Sequence, residues 1–154
     1  MDMPSLKRRL GIEEGDKLVA YLDTKGILTV GTGHNCVARP VDGVTQPGDR
    51  ITPEQDQALF EADVQDACDQ LDNYLSWWRN LDDARQNVIL DMCFNLGIAK
   101  LMGFHHTLAS VKGGIDDPAL FNQAADEMKD SAWHDQVGSR AVFLENAMRT
   151  GIYA

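Results

Sequence analysis

Glu14 and Asp23 stand nine positions apart within residues 11–34, GIEEGDKLVAYLDTKGILTVGTGH, and Thr29 follows six positions later. Two carboxylates facing each other across a cleft suit acetal hydrolysis: one donates a proton, and the other handles water or the developing cation. The same spacing also arises by chance in a chain with 24 acidic residues, and a Thr in a strand is an ordinary strand former. Spacing alone leaves both readings open, a catalytic pair and two solvated acids.

These residues need elements to position them. Residues 18–22 and 27–30 are β-rich and flank Asp23-Thr24-Lys25-Gly26, a polar connection ending in Gly, which predicts a hairpin. Upstream, Ser5 is read as the cap of a helix running to about Glu13, with Leu6 and Leu10 on one face and Gly15 past its end. Glu14 then sits at a helix C-terminus, where the dipole disfavours added negative charge; with burial this raises its pKa, which suits a general acid. After the hairpin, Val30-Gly31-Thr32-Gly33-His34 leads into a loop rich in Gly, Pro and Asp, reaching to about Ile51. Its glycines do not follow a strand–helix phosphate pattern, so no nucleotide site is expected.

Thr52-Pro53-Glu54-Gln55 has the pattern of a capping box, opening a helix to about Leu75 with Leu59, Phe60, Val64, Ala67, Leu71 and Tyr74 at helical spacing. Asp63 falls at the edge of that stripe, either solvated or a partner for His34. Trp77-Trp78 could stack on a sugar, but adjacent helical residues point apart, so core packing with partial exposure is the favoured reading. Further helices are expected over about 82–96 (Val88, Ile89, Met92, Cys93 and Leu96 inward) and about 101–112, the latter stopped by Gly113-Gly114. Another is capped by Asp117, with Leu120, Phe121, Ala124, Ala125 and Met128 inward. The last starts near Ser139 and presents Val142, Phe143, Ala147 and Met148. His105-His106 diverge by about 100° on a helix and have no carboxylate at i+4, so a metal site is not expected there.

The layout is α+β, a single domain of 154 residues. A small hairpin-containing N-terminal lobe, about 12–60, is joined by a long helix, about 53–75, to a larger helical C-terminal lobe, about 76–154, which also takes the first helix. An apolar content of 44% and a charged content of 25% fit one soluble globular domain. A net charge of −10 argues against nucleic acid as a partner and against electrostatic attraction to anionic membranes. Cys36, Cys68 and Cys93 form no C-x-x-C and read as buried free thiols of a chain made in a reducing compartment, not as zinc ligands. The N-terminus does not read as a signal peptide and no window is long and apolar enough to span a bilayer, so stable membrane insertion is not expected. A substrate beyond the cytoplasm would need a separate route of release.

Ile12-Glu13-Glu14-Gly15, Tyr21-Leu22-Asp23-Thr24-Lys25-Gly26 and Thr29-Val30-Gly31-Thr32-Gly33-His34 resemble the catalytic signature of the phage-type lysozymes, glycoside hydrolase family 24, in the branch typified by the T-even phage enzyme. The resemblance extends through Leu59-Phe60-Glu61-Ala62-Asp63-Val64, Phe94-Asn95-Leu96-Gly97 with Gly103-Phe104, Trp133-His134-Asp135-Gln136, Ser139-Arg140-Ala141 and Arg149-Thr150-Gly151. It implies a lysozyme-like fold and a muramidase that cleaves the β-1,4 bond between N-acetylmuramic acid and N-acetylglucosamine of peptidoglycan. Glu14 would be the general acid, and Asp23 and Thr29 would hold the attacking water on the opposite face of the sugar, with inversion. Arg140 matches the cation that pairs with the catalytic Glu, and His34 and Asp63 match a structural ion pair. Phe94 matches a cleft-lining aromatic, Thr107 a hydroxyl beside the cleft and Asn35 a sugar contact, while Glu127 stands where the family tends to have a neutral amide.

No metal or cofactor is implied. The resemblance further implies an endolysin: a monomer made in the host cytoplasm, released through holin lesions and acting on periplasmic peptidoglycan in host cell lysis. Two alternatives are a lytic transglycosylase, against which the water-handling Asp23 and Thr29 argue, and a non-catalytic peptidoglycan-binding or assembly module.

Overall fold

The computed structural model describes the backbone of all residues except 15 and 16, and the side chains of all except 13–16. The side chain of Glu14, the expected general acid, and Gly15, expected beyond the first helix, therefore lie outside the described residues. The chain divides into two compact units, one formed by Leu6–Asp66 and the other by Met1–Ser5 with Ala67–Ala154. The first is a small lobe built on a β-hairpin and the second is a larger helical lobe; the long helix α2 (Pro53–Tyr74) runs from one into the other.

Helix α1 (Met3–Glu14) is capped by Asp2 and not by Ser5. The Asp2 carboxylate accepts from the Ser5 N–H at 3.1 Å and from the Ser5 hydroxyl at 2.7 Å. A carboxylate is as good a cap as a hydroxyl and adds a favourable charge to the helix dipole, so the helix starts one turn earlier than expected. Leu6 and Leu10 are fully buried, each contributing about 2 kcal/mol of apolar transfer.

In the small lobe, β1 (Lys17–Leu22) pairs antiparallel with β2 (Leu28–Gly31), with Tyr21 opposite Thr29 and Leu22 opposite Leu28. A third short strand, β3 (His34–Asn35), pairs with the far edge of β2, where the sequence predicts loop from Asn35 onward. Two residues are too few for a periodicity signal, and β3 exists because β2 offers it unpaired groups. The loop beyond returns to cover the outer edge of β1: Ala20 donates to Asp49 O at 2.7 Å, and Gly48 and Ile51 donate to Ala20 O and Leu18 O, both at 2.9 Å. Ala20, Val30, Cys36, Val44 and Ile51 form the small core of this lobe.

Helix α2 opens on a reciprocal capping box, with Thr52 N–H donating to Gln55 Oε1 at 2.8 Å and Gln55 N–H donating to Thr52 Oγ1 at 3.1 Å. Phe60, Val64, Ala67 and Leu71 are buried as expected, but Tyr74 is 60% exposed. From Leu71 the buried stripe continues to Leu75 at i+4, which leaves Tyr74 at i+3 on the solvent side.

Two carboxylates of α2 grip the hairpin within the small lobe. Asp56, 3% exposed, accepts the Thr32 N–H (2.9 Å) and hydroxyl (3.2 Å) on Oδ1, and its Oδ2 lies 3.0 Å from Lys7 Nζ of α1. Gly31 has φ +62°, and a Cβ there would collide with Asp56 Oδ1. Two turns along α2, Asp63 Oδ2 lies 2.8 Å from Nδ1 of the buried His34, whose Nε2 meets Arg39 O at 2.9 Å.

In the helical lobe, Trp78 is fully buried with its indole N–H on Asp72 Oδ1 at 2.8 Å, while Trp77 is half-buried. Helix α3 (Asp83–Leu96) is capped by Asp82 and ended by Gly97 at φ +78°. It is buried on every side from Gln86 to Cys93, polar residues included, whereas the sequence pattern predicts a single inward stripe. The expected helix over 101–112 is two, α4 (Ile98–Met102) and α5 (His105–Gly114), broken at Gly103-Phe104. Gly113 and Gly114 are the last two residues of α5, so the helix ends at the expected glycine pair. A Cβ at Gly113 would come within 2.6 Å of Leu120 Cδ1, and one at Gly114 would strike the Phe121 ring, so these glycines let α5 and α6 (Leu120–Lys129) approach. A short α7 (Ala132–Val137), not foreseen, precedes α8 (Ser139–Thr150). On α8 the buried face is Ala141, Leu144, Ala147 and Met148, and Val142 is 46% exposed. The sequence predicts Val142 in the core, and the neighbouring Ala141 takes that place.

All three cysteines are buried free thiols, and burial pushes the Cys93 thiol up to about 11. Among the described residues no helix is long and apolar enough to cross a membrane.

Two stability tests follow from the grip of α2 on the hairpin. Gly31→Ala combines a left-handed backbone with displacement of the Asp56 carboxylate, and chemical denaturation is expected to show a loss of about 2–4 kcal/mol. The Asp63 hydrogen bond raises the His34 pKa above 6.5, against opposing effects of burial and of the Arg39 guanidinium. Because the folded pKa is the higher one, this stabilisation is complete below the unfolded-state pKa of about 6.5 and is lost as pH rises through the folded value. Unfolding of Asp63→Asn measured from pH 5.5 to 9 should show a deficit of about 1.5–3 kcal/mol at the acid end that narrows toward the alkaline end.

Candidate active site

Asp23 opens the hairpin turn, where its backbone N–H donates to Ile27 O at 3.0 Å and its C=O accepts from Gly26 N–H at 2.9 Å. Its side chain is fixed by one oxygen: Oδ1 accepts the N–H groups of Lys25 (2.8 Å) and Ile27 (2.9 Å). Oδ2 has no protein partner among the described residues, so a half-buried, oriented carboxylate keeps an acceptor for a water molecule. Such a turn is what Asp does best locally, since its side chain mimics the backbone acceptor two residues on.

Thr29 sits in the centre of the sheet, opposite Tyr21 of β1 and Asn35 of β3. It is 6% exposed and donates its hydroxyl hydrogen to Ile27 O at 2.9 Å, which leaves the oxygen lone pairs as acceptors. The peptide N–H and C=O groups of Ile27 thus engage Asp23 and Thr29 respectively, and the two side chains are held by one residue of the hairpin. Asn35 spends its carbonyl oxygen on a turn, accepting from Val37 and Ala38 at 2.9 Å each, and retains its amide donors. His34 and Asp63 complete this set in the small lobe through the pair described above.

Phe94, Thr107 and Arg140 belong to the helical lobe. Arg140, 5% exposed at the start of α8, donates Nε to Asp91 Oδ1 at 2.8 Å and Nη2 to Asp91 O at 3.3 Å. Asp91, fully buried in α3, also accepts the Tyr153 hydroxyl on Oδ2 at 2.6 Å. This places a partnered guanidinium in the interior, its planar fork matched to a carboxylate. Neither Asp91 nor Tyr153 stood out in the sequence. An Asp within the apolar run of α3 was the available signal, because a carboxylate inside a core segment requires a cation or donors.

Thr107, 5% exposed, lines a pocket of about 660 Å³ together with Phe104, His105, His106 and, from α6 and the residues after it, Glu127, Asp130 and Ser131. Phe104 packs edge-on against Trp133 with ring centroids 6.2 Å apart, and the Trp133 indole N–H donates to Asn95 Oδ1 at 2.7 Å. An aromatic floor with hydroxyl, imidazole and carboxylate groups around it is the kind of surface that holds a sugar ring. Phe94 is half-buried nearby in sequence on α3 and does not line this pocket. Among the described residues no group of three or more His, Cys, Asp and Glu is arranged to hold a metal ion.

The sequence profile of phage lysozymes, described as "Phage lysozyme", matches residues 11–145. Probable T4-type lysozyme 1 of Dictyostelium discoideum is 28% identical over 96% of this chain and 95% of its own length. The endolysin of Salmonella phage P22 is 32% identical over 62% of each chain. The pre-baseplate central spike protein Gp5 of Enterobacteria phage T4 is 27% identical over 98% of this chain, which corresponds to 28% of that longer protein. A match over most of the chain supports peptidoglycan hydrolase activity in general and establishes that the chain belongs to the phage lysozyme family.

Proposed function

We propose that the protein is a muramidase that cleaves the β-1,4 bond between N-acetylmuramic acid and N-acetylglucosamine, with Glu14 as general acid and Asp23 and Thr29 positioning the attacking water. The observation that carries this reading is the division of labour within Asp23, one oxygen locked by two backbone N–H groups and the other left to accept from water. Thr29 supports it, because its hydroxyl hydrogen is committed to Ile27 O and its oxygen can therefore only accept. A water that donates to both is oriented with a lone pair toward the anomeric carbon, and Asp23 takes the proton as the bond to carbon forms. Glu14 protonates the departing glycosidic oxygen on the other face, which gives inversion and calls for about 6.5–9.5 Å between the two carboxyl groups.

Arg140 in this scheme supports Glu14 electrostatically, and Phe94, Thr107 and Asn35 contact the glycan. The lobe carrying Thr107 offers the 660 Å³ pocket for one sugar unit. In the cell the enzyme is made in the host cytoplasm, is released through holin lesions and acts as a monomer on periplasmic peptidoglycan. The similarity to a central spike protein favours a second reading, in which a module of this kind serves within a phage assembly. Catalysis separates the two.

Clearing of permeabilised cells decides the main reading. Glu14→Gln is expected to lower kcat/KM about 10²–10⁴-fold with an unchanged melting temperature, and equal clearing by both proteins would remove Glu14 from the mechanism. Asp23→Asn keeps the carbonyl acceptor for the turn and loses the base, so it should fold normally and fall by a similar factor. Mass spectrometry of the products should find hydrated reducing ends; 1,6-anhydro ends would identify a transglycosylase. Because a chain of net charge −10 meets an anionic wall, screening should help: the rate is expected to rise by about 2-fold or more between low and physiological ionic strength, and a steady fall would contradict charge repulsion.

A further inference from the structure

The carboxylate of Glu127 is held in place on the wall of the helical-lobe pocket. Its Oε2 accepts the hydroxyl of Ser110, a buried residue of α5, at 3.0 Å, and its Oε1 accepts the Gln123 side-chain amide at 3.1 Å. One acceptor site on each oxygen is thereby filled and at least one on each remains. Asp130, three residues on and on the same wall, adds a second negative charge. Among the described residues neither carboxylate takes part in an ion pair, although Lys100 lines the same pocket. The other charged pairs of this lobe, such as Arg149 with Asp126 and Arg79 with Asp72, are made by their neighbours.

Two carboxylates without an ion-pair partner, on a pocket that Phe104 also lines, are a poor match for a fully N-acetylated sugar. An acetamido group offers one N–H donor and brings a carbonyl oxygen that an anion repels, and covering Glu127 with it removes water from a charge without replacing the charge interaction. A primary ammonium offers three donors, no acceptor and the opposite charge, and charge-assisted hydrogen bonds are about twice as strong as neutral ones. We propose that Glu127, assisted by Asp130, makes this pocket select a primary ammonium group carried by the wall polymer. Two sources have that chemistry: the 2-amino group of a de-N-acetylated glucosamine in the glycan, and the side-chain amine of a diamino acid in the stem peptide. The inference rests on reading the pocket as a glycan-side subsite of the proposed muramidase.

The test measures binding by calorimetry to the full chain carrying Glu14→Gln, so that turnover does not consume the probe, at about pH 5.5, where a sugar amine and a side-chain amine both hold their protons and carboxylates stay ionised. The probes are a β-1,4-linked glucosamine tetramer, its N-acetylated counterpart, and a stem tripeptide with its side-chain amine either free or acetylated. A free amine is expected to bind at least about tenfold more tightly than its acetylated form, and Glu127→Gln, which can still accept from Ser110, should erase the difference. Asp130→Asn should reduce it in part. Preference confined to the tetramer assigns the glycan amine as the source, and preference confined to the tripeptide assigns the stem. Equal binding of free and acetylated probes, or a preference that survives Glu127→Gln, overturns the proposal. Hydrolysis by the Glu14→Gln protein would instead overturn the catalytic reading and leave the binding comparison standing.

Discussion

The Asp56 carboxylate, buried in the first turn of α2, is where the parts of the small lobe are pinned to one another. A carboxylate so far from water needs donors, and it takes them from two other elements: the Thr32 N–H and hydroxyl just beyond β2, and the Lys7 ammonium on α1. The helix N-terminus supplies a further favourable field. Gly31 is the residue that permits this closeness, because its positive φ turns the chain toward Asp56 and its missing Cβ leaves room for the oxygen. Asp63 repeats the device two turns later on the same face of α2, where it meets His34. The long helix therefore acts as a rail with two anionic clamps. The strand that carries Thr29 is set by the first clamp on one side and, on the other, by the turn that Asp23 organises.

The helical lobe solves a different problem with the same chemistry. Helix α3 is buried on all sides, so its polar residues cannot be left to solvent, and each has found a fixed partner. Gln86 donates its side-chain amide to the carbonyls of Arg79 and Leu81, Asn87 donates to Asp2 O, and Asp91 binds Arg140 and Tyr153. Replacing such a buried pair by apolar residues is often neutral, whereas removing one member strands a charge. The Asp91–Arg140 pair is thus better understood as a device that fixes the direction of a guanidinium than as a source of stability. In the same lobe, Gly114 lacks the Cβ that would strike the Phe121 ring, which lets α5 and α6 close on each other.

Much of the architecture was legible in the chain because it rests on local rules. Thr52-Pro53-Glu54-Gln55 states a helix start in four residues, Asp23 through Gly26 states a turn, and Gly97 and Gly151 end helices in the conformations that favour Gly. The departures share one cause. Tyr74 and Val142 point to solvent and β3 forms from two residues, because each depends on what another segment places beside it. A Ser in the first turn and an Asp before it are both competent caps, and only the folded chain chose Asp2.

For the site, the residue types and their spacing, Glu14 to Asp23 to Thr29, are properties of the sequence, and so is the acidic character of the whole chain. The state of each group is a property of the tertiary structure. That Asp23 holds one oxygen in reserve, that Thr29 can only accept, and that Asn35 offers donors all follow from hydrogen bonds within the folded hairpin. Glu127 is an ordinary surface-type residue in the sequence, and it becomes an oriented charge on a pocket wall once α5 brings Ser110 against α6. The physical reason is range. Caps, turns and helix stops are decided within about five residues, whereas the partner that orients a polar group in this protein lies up to 85 positions away, as for Asn87 and Asp2.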